Sequence, residues 1–105
     1  MIIIYITCES LKQAEKIGRH LLEKRLCGCV NIVPQIISLS FWPPKTGKIS
    51  KGEETILLVK TKEENFETIE KEVLKIHSWQ TPCLFSLKID HVNKNYYQWL
   101  LEEMK

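Results

Sequence analysis

Ile2-Ile3-Ile4-Tyr5-Ile6-Thr7 is the stretch on which the fold turns. Its residues are β-branched or aromatic, and no polar residue alternates with them. Such a run fits a strand covered on both faces, at the centre of a sheet. It is too short to span a bilayer, which takes about 20 apolar residues. No Lys or Arg precedes it, so it lacks the charged region of a secretory signal. The expectation is a buried strand in a cytoplasmic protein. Four cysteines (Cys8, Cys27, Cys29, Cys83) then read better as free thiols than as a disulfide framework.

Outward from this strand, Ser10-Leu11-Lys12-Gln13 has the form of a helix-capping box. Leu11, Ala14, Ile17 and Leu21 follow at helical spacing, which predicts a helix over 10–25. Lys24 and Arg25 suit the negative end of its dipole. Gly28 is positioned to supply a left-handed stop. From Cys29 to Trp42 strand-formers dominate, with an edge or bulge expected at Pro34. Pro43-Pro44-Lys45-Thr46-Gly47 is a turn, and Ile49 and Glu54–Thr61 return as the partner strand. Thr61-Lys62-Glu63-Glu64 repeats the capping pattern. Phe66, Ile69, Val73 and Ile76 predict a helix over 62–77. After the loop 77–82, Cys83, Phe85, Leu87 and Ile89 alternate with Leu84, Ser86, Lys88 and Asp90, as in a half-buried strand. Asn93 caps a last helix carrying Tyr96, Trp99, Leu100 and Met104.

The order β-α-β-β-α-β plus a terminal helix predicts one domain over 1–105. The fold class is α+β: a ferredoxin-like sandwich with an antiparallel sheet and a long hairpin between its second and third strands. Both crossover helices fall on one face of the sheet. The opposite face is left uncovered, yet the first strand has no polar side to turn towards water. A second copy of the chain is the expected cover.

Composition narrows function by exclusion. The 105 residues are 44% apolar and 27% charged, with a net charge of +2, which suits a soluble globular chain without a basic stripe for nucleic acid. An RNA-binding βαββαβ domain would need aromatics on its central strands, and Ile56-Leu57-Leu58-Val59 has none. There is no nucleophile elbow, P-loop or dinucleotide fingerprint, so the chain is not expected to be an enzyme. A Cys–His pair could arise only from Cys29 or Cys83 with His77.

The residues carry a resemblance along the whole chain. A first strand ending at Thr7 is followed by Cys29-Val30-Asn31-Ile32, Ser38, Trp42, Gly47-Lys48-Ile49, Glu54 and Lys60-Thr61. His77 with Pro82, then Asn95-Tyr96 and Trp99, complete the series. In this order the chain resembles the CutA proteins, the divalent-ion-tolerance family. The resemblance implies a compact homotrimer whose sheets pack around a threefold axis, and similarity in fold to the PII signalling proteins. It also implies association with copper or other divalent ions, and in an animal branch with acetylcholinesterase anchoring.

Three features depart from the family pattern. His77-Ser78-Trp79 stands for His-Pro-Tyr, Cys83 replaces a carboxylate after the loop proline, and the hairpin tip carries three extra residues. The thiol and paired histidines of some copper-binding members are Ile6 and Ile76-His77 here. By resemblance, Trp42, Glu54, Lys60 and Tyr96 gather near a cleft between subunits, where they would bridge subunits or hold a small anion. Cys29 and His77 are the metal candidates, since thiolate and imidazole suit copper and zinc. For Cys27 and Cys29 packing is the plainer role. His20 and His91 read as solvated, and Trp79, Trp99, Tyr97 and Phe66 as core or interface anchors. The expected partners are copies of itself and a divalent metal or small anion, with no nucleic acid and no membrane. A PII-like effector sensor and a purely structural trimer are the alternatives.

Overall fold

The computed structural model describes residues 1–104. Strands β1 (Ile2–Cys8), β2 (Cys29–Phe41), β3 (Ile49–Thr61) and β4 (Leu84–Lys88) form one antiparallel sheet in the order β2-β3-β1-β4. Helix α1 (Leu11–Glu23) joins β1 to β2, α2 (Phe66–Ile76) joins β3 to β4, and α3 (Lys94–Glu103) follows β4. This is the expected ferredoxin-like order.

Strand β1 is central, with β3 on one side and β4 on the other. Successive side chains on a strand point to opposite faces, and cross-strand partners share a face. Ile2, Ile4, Ile6 and Cys8 therefore stand with Leu57 and Val59 under the helices, all at most 2% exposed. Ala14, Ile17 and Leu21 of α1 and Ile69 and Val73 of α2 close that core. Ile3, Tyr5, Leu58, Ile56, Phe85 and Leu87 share the other face, which no element of the chain covers. Tyr5 and Phe85 stack there with ring centroids 4.8 Å apart. The apolar set of β4 expected to face a core thus lies on the open face. Leu84 packs under the helices instead.

The ends of α1 and α2 differ from expectation. Ser10 caps α1 by accepting the Gln13 N–H, but the Gln13 side chain accepts from Glu9 N–H, one residue further out. Arg25, not Gly28, takes the left-handed conformation (φ 59°) that stops α1. Arg25 N–H bonds Leu22 O and Leu26 N–H bonds Leu21 O, a Schellman closure. Gly28 serves close approach: a Cβ there would lie 2.7 Å from Leu100 Cδ1 and 3.2 Å from the Leu100 carbonyl. The second capping box does not form. Thr61 donates to Leu26 O at 2.6 Å, Asn65 donates to the same carbonyl, and a 3-10 turn (Glu63–Asn65) precedes α2. The pull of a buried carbonyl outcompetes the local cap.

His20 is also not left to solvent. It hydrogen-bonds Glu72 at 2.9 Å and ties α1 to α2, while the Lys24 and Lys75 ammonium groups flank the same carboxylate. His91 stays exposed as expected. The bulge expected at Pro34 is present, as the β2–β3 register skips between Val33 and Ile36 and Gln35 takes φ 59°.

Two predictions follow from these contacts. Gly28→Ala should destabilise the fold by about 1–3 kcal/mol by overpacking against Leu100, read as a lower thermal midpoint. Hydrogen bonds from Lys75, then His20 and Lys24, hold the Glu72 carboxyl at about 2, below the ordinary 4.5. A carboxyl depressed in the folded state stabilises fully above its unfolded value and loses that effect as pH falls towards the folded one. The thermal midpoint should therefore drop between pH 4.5 and 2, and Glu72→Gln should flatten that drop.

Candidate functional site

Strand β1 spans only Thr55–Thr61 of β3, so the rest of the β2–β3 hairpin projects beyond the sheet. This overhang runs over Ile36–Phe41 and Ile49–Glu54. Ile37, Leu39, Phe41 and Ile49 share one of its faces and are 65–73% exposed. Trp42 ends the overhang and is exposed as well. Glu54 and Ser38 lie on the other face, where the Ser38 hydroxyl donates to the carboxylate.

Lys60 lies near the opposite end of β3. Its register partners are Ile3 and Cys29, so its side chain stands on the open face. The Lys60 ammonium is 5.5 Å from the Tyr96 ring centroid, and Tyr96 in turn packs against Trp99 at 5.9 Å. A cation over an aromatic face is attracted by the ring quadrupole. Helix α3 is held in reach by buried Leu100 against Gly28 and by Met104 against Thr61. The Tyr96 hydroxyl is buried and has no partner among the described residues.

The four residues expected near a cleft thus do not meet within one subunit. Lys60 and Tyr96 touch. Glu54 is six residues up the strand, and Trp42 is on the order of 40 Å away at about 3.4 Å per residue. Cys29 joins the Lys60–Tyr96 corner through its pairing with Lys60.

His77 is elsewhere, at the C-terminal end of α2. Its Nε2 lies 2.8 Å from the Thr7 carbonyl and its Nδ1 accepts the Trp79 N–H at 3.0 Å. Those two bonds demand the neutral ring with the proton on Nε2. Thr7 is four residues along β1 from Ile3, which is the row of Cys29. Cys29 and His77 therefore sit at opposite ends of the sheet. Among the described residues no three His, Cys, Asp or Glu side chains assemble as a metal centre. A single subunit does not fit a resident metal.

The remaining cysteines divide by burial. Burial, then the charge of Cys29, pushes the Cys27 thiol up to about 12. Burial, then the charge of Glu54, pushes Cys8 up to about 11. Both are protonated packing residues at neutral pH. Cys83 is exposed beside the His77 loop, and its carbonyl accepts the Thr7 N–H.

Sequence reasoning missed two features of this surface. The resemblance put Lys60 and Tyr96 near one cleft, but their contact within a single chain, across 36 positions, leaves no local signal. The binding of His77 to the end of β1 was equally hidden, although its place after a helix was legible.

Known proteins match this arrangement over its whole length. The model of the CutA1 divalent ion tolerance protein family matches residues 2–103. The divalent-cation tolerance protein CutA of Archaeoglobus fulgidus is 41% identical over 102 residues, covering 97% of this chain and 96% of that one. Its counterpart in Thermotoga maritima is 38% identical over 104 residues and covers 99% of both chains. The solved divalent cation tolerance protein of Thermus thermophilus superposes with a TM-score of 0.92 at 34% identity, covering 100% of each chain. The solved A. fulgidus protein, described as periplasmic, gives 0.92 at 40% identity, again covering 100% of each chain. A continuous sequence match and a shared fold agree: the chain belongs to the CutA1 divalent ion tolerance family.

Proposed function

We propose that the protein is a homotrimer that acts in divalent-ion tolerance by weak binding at the clefts between its subunits, and not by catalysis. The observation that carries this reading is the open sheet face. Ile3, Tyr5, Ile56, Leu58, Phe85 and Leu87 form one apolar surface, and each large side chain buried there would contribute about 1.5–3 kcal/mol. The overhanging hairpin adds a second apolar surface that its own subunit cannot reach. Packing sheet against sheet around an axis covers the first, and a neighbour's flank covers the second.

Assembly also supplies what one subunit lacks. Trp42 and Glu54 can approach a Lys60–Tyr96 corner only from another copy, and Cys29 and His77 can share an ion only across a boundary. Copper or another divalent ion is the proposed ligand of Cys29 and His77. Lys60 supports a small anionic ligand as the second reading, since it pairs with no carboxylate among the described residues and stands beside an aromatic ring. That reading makes the protein a PII-like effector module. Four free thiols among the described residues support a cytoplasmic setting, although the A. fulgidus relative is described as periplasmic.

Light scattering should give about three times the 12.3 kDa of the chain. Leu87→Lys, which charges a side chain half exposed in the subunit, should lower the mass to that of one copy with the fold kept. A parent mass of 12.3 kDa would remove the trimer and the clefts together.

Titration with Cu(II) and Zn(II) should show binding that weakens in both Cys29→Ser and His77→Ala. Unchanged affinity in both rejects them as ligands. A nucleotide and metabolite screen by thermal shift tests the effector reading, with Lys60→Ala abolishing any hit. If both assays are empty, the structural trimer stands.

A further inference from the structure

The Tyr96 hydroxyl is the one buried side-chain oxygen or nitrogen that finds no partner among the described residues. Buried polar groups are matched with few exceptions, and each exception asks for its missing partner. The nearest side chains supply no acceptor. The Lys60 ammonium lies over the Tyr96 ring, 5.5 Å from its centroid, and it only donates. Trp99 packs on the same ring at 5.9 Å, and its indole also only donates. Tyr96 stands on the first turn of α3, which holds no acidic residue, so the positive end of the helix adds to the charge of Lys60. Lys60 enters none of the ion pairs among the described residues.

Two donors, one of them charged, thus stand side by side with no acceptor for either. An ammonium 5.5 Å above the ring centre lies on the order of 6 Å from the ring's hydroxyl, too far for a direct hydrogen bond. The two oxygens of one carboxylate span such a gap, each taking a bond of about 2.8 Å from one donor. One lysine and one neutral phenol also match a single negative charge. A phosphate dianion asks for more charge and more donors than this pair provides. Ile3, the register partner of Lys60 on the open face, and the part-exposed Trp99 offer apolar surface for a short carbon chain.

We propose that Lys60 and the Tyr96 hydroxyl together bind the carboxylate of a small aliphatic acid, which rests on the small-anion reading of Lys60 above and fixes the class of that anion. The flexible Lys60 stem lets its ammonium leave the ring for one carboxylate oxygen, which opens the ring face to the ligand. The second oxygen then accepts from the Tyr96 hydroxyl.

The probe is butyrate, titrated into the full chain by calorimetry at fixed ionic strength, with butyramide as the neutral isostere and inorganic phosphate as the other class of anion. Butyrate should bind saturably and more tightly than phosphate, and butyramide should not bind. Tyr96→Phe, which removes only the oxygen, should weaken butyrate about tenfold or more, as loss of a hydrogen bond to a charged group does. Lys60→Ala should abolish binding. If Lys60→Ala binds butyrate as the parent does, the small-anion reading falls together with the proposal. If phosphate binds through Lys60 and butyrate does not, or if Tyr96→Phe binds butyrate as the parent does, the proposal alone falls. Binding of butyrate to Glu54→Gln but not to the parent would mean that a neighbouring subunit's carboxylate already fills the corner, which also overturns it.

Discussion

The sheet of this protein is apolar on both sides, and only one side has helices to cover it. β1 sets that condition, because it is central and has no polar face. Ile2, Ile4 and Ile6 are sealed under α1 and α2, whereas Ile3 and Tyr5 lie open beside Phe85 and Leu87. An apolar surface rimmed by unpaired strand edges is not a stable endpoint in water. The proposed trimer would cover this face, and the site residues would come together at its boundaries.

The hairpin and α3 are the two elements that reach past the basic sandwich, and they extend in opposite directions. The hairpin carries Trp42 and Glu54 away from the sheet. Helix α3 folds against the other end and brings Tyr96 to Lys60. Its seat depends on small size at Gly28 and on the polar knot where Thr61 and Asn65 share the Leu26 carbonyl. From Lys24 to Gly52 there is no acidic residue, so the hairpin is cationic at Lys45, Lys48 and Lys51. The unpaired carboxylates begin at Glu53, directly beneath it. The division gives the outer hairpin and its base opposite charge, separated along one pair of strands.

Much of the fold was legible because its signals are local. Ser10 and Gln13, the spacing of Ala14, Ile17 and Leu21, and the Pro34 interruption all act within a few residues of where they are read. The failures were long-range. Thr61 has the pattern of a cap, but a carbonyl 35 positions away offers it a buried partner. Arg25 replaces Gly28 at the left-handed stop because its side chain reaches the Glu103 carbonyl and carboxylate of α3. His20 reads as solvated until α2 places Glu72 beside it. The candidate site follows the same rule. Its residue types could be named from the pattern, but a single subunit joins only Lys60 with Tyr96. The other members do not meet within one chain.

In the proposed trimer, that arrangement would couple binding to assembly. A ligand held by side chains from two subunits binds the trimer and not the isolated subunit, so it stabilises the trimer by mass action. The converse also holds. Whatever loosens the open sheet face lowers apparent affinity at the clefts, even when no ligating residue is touched.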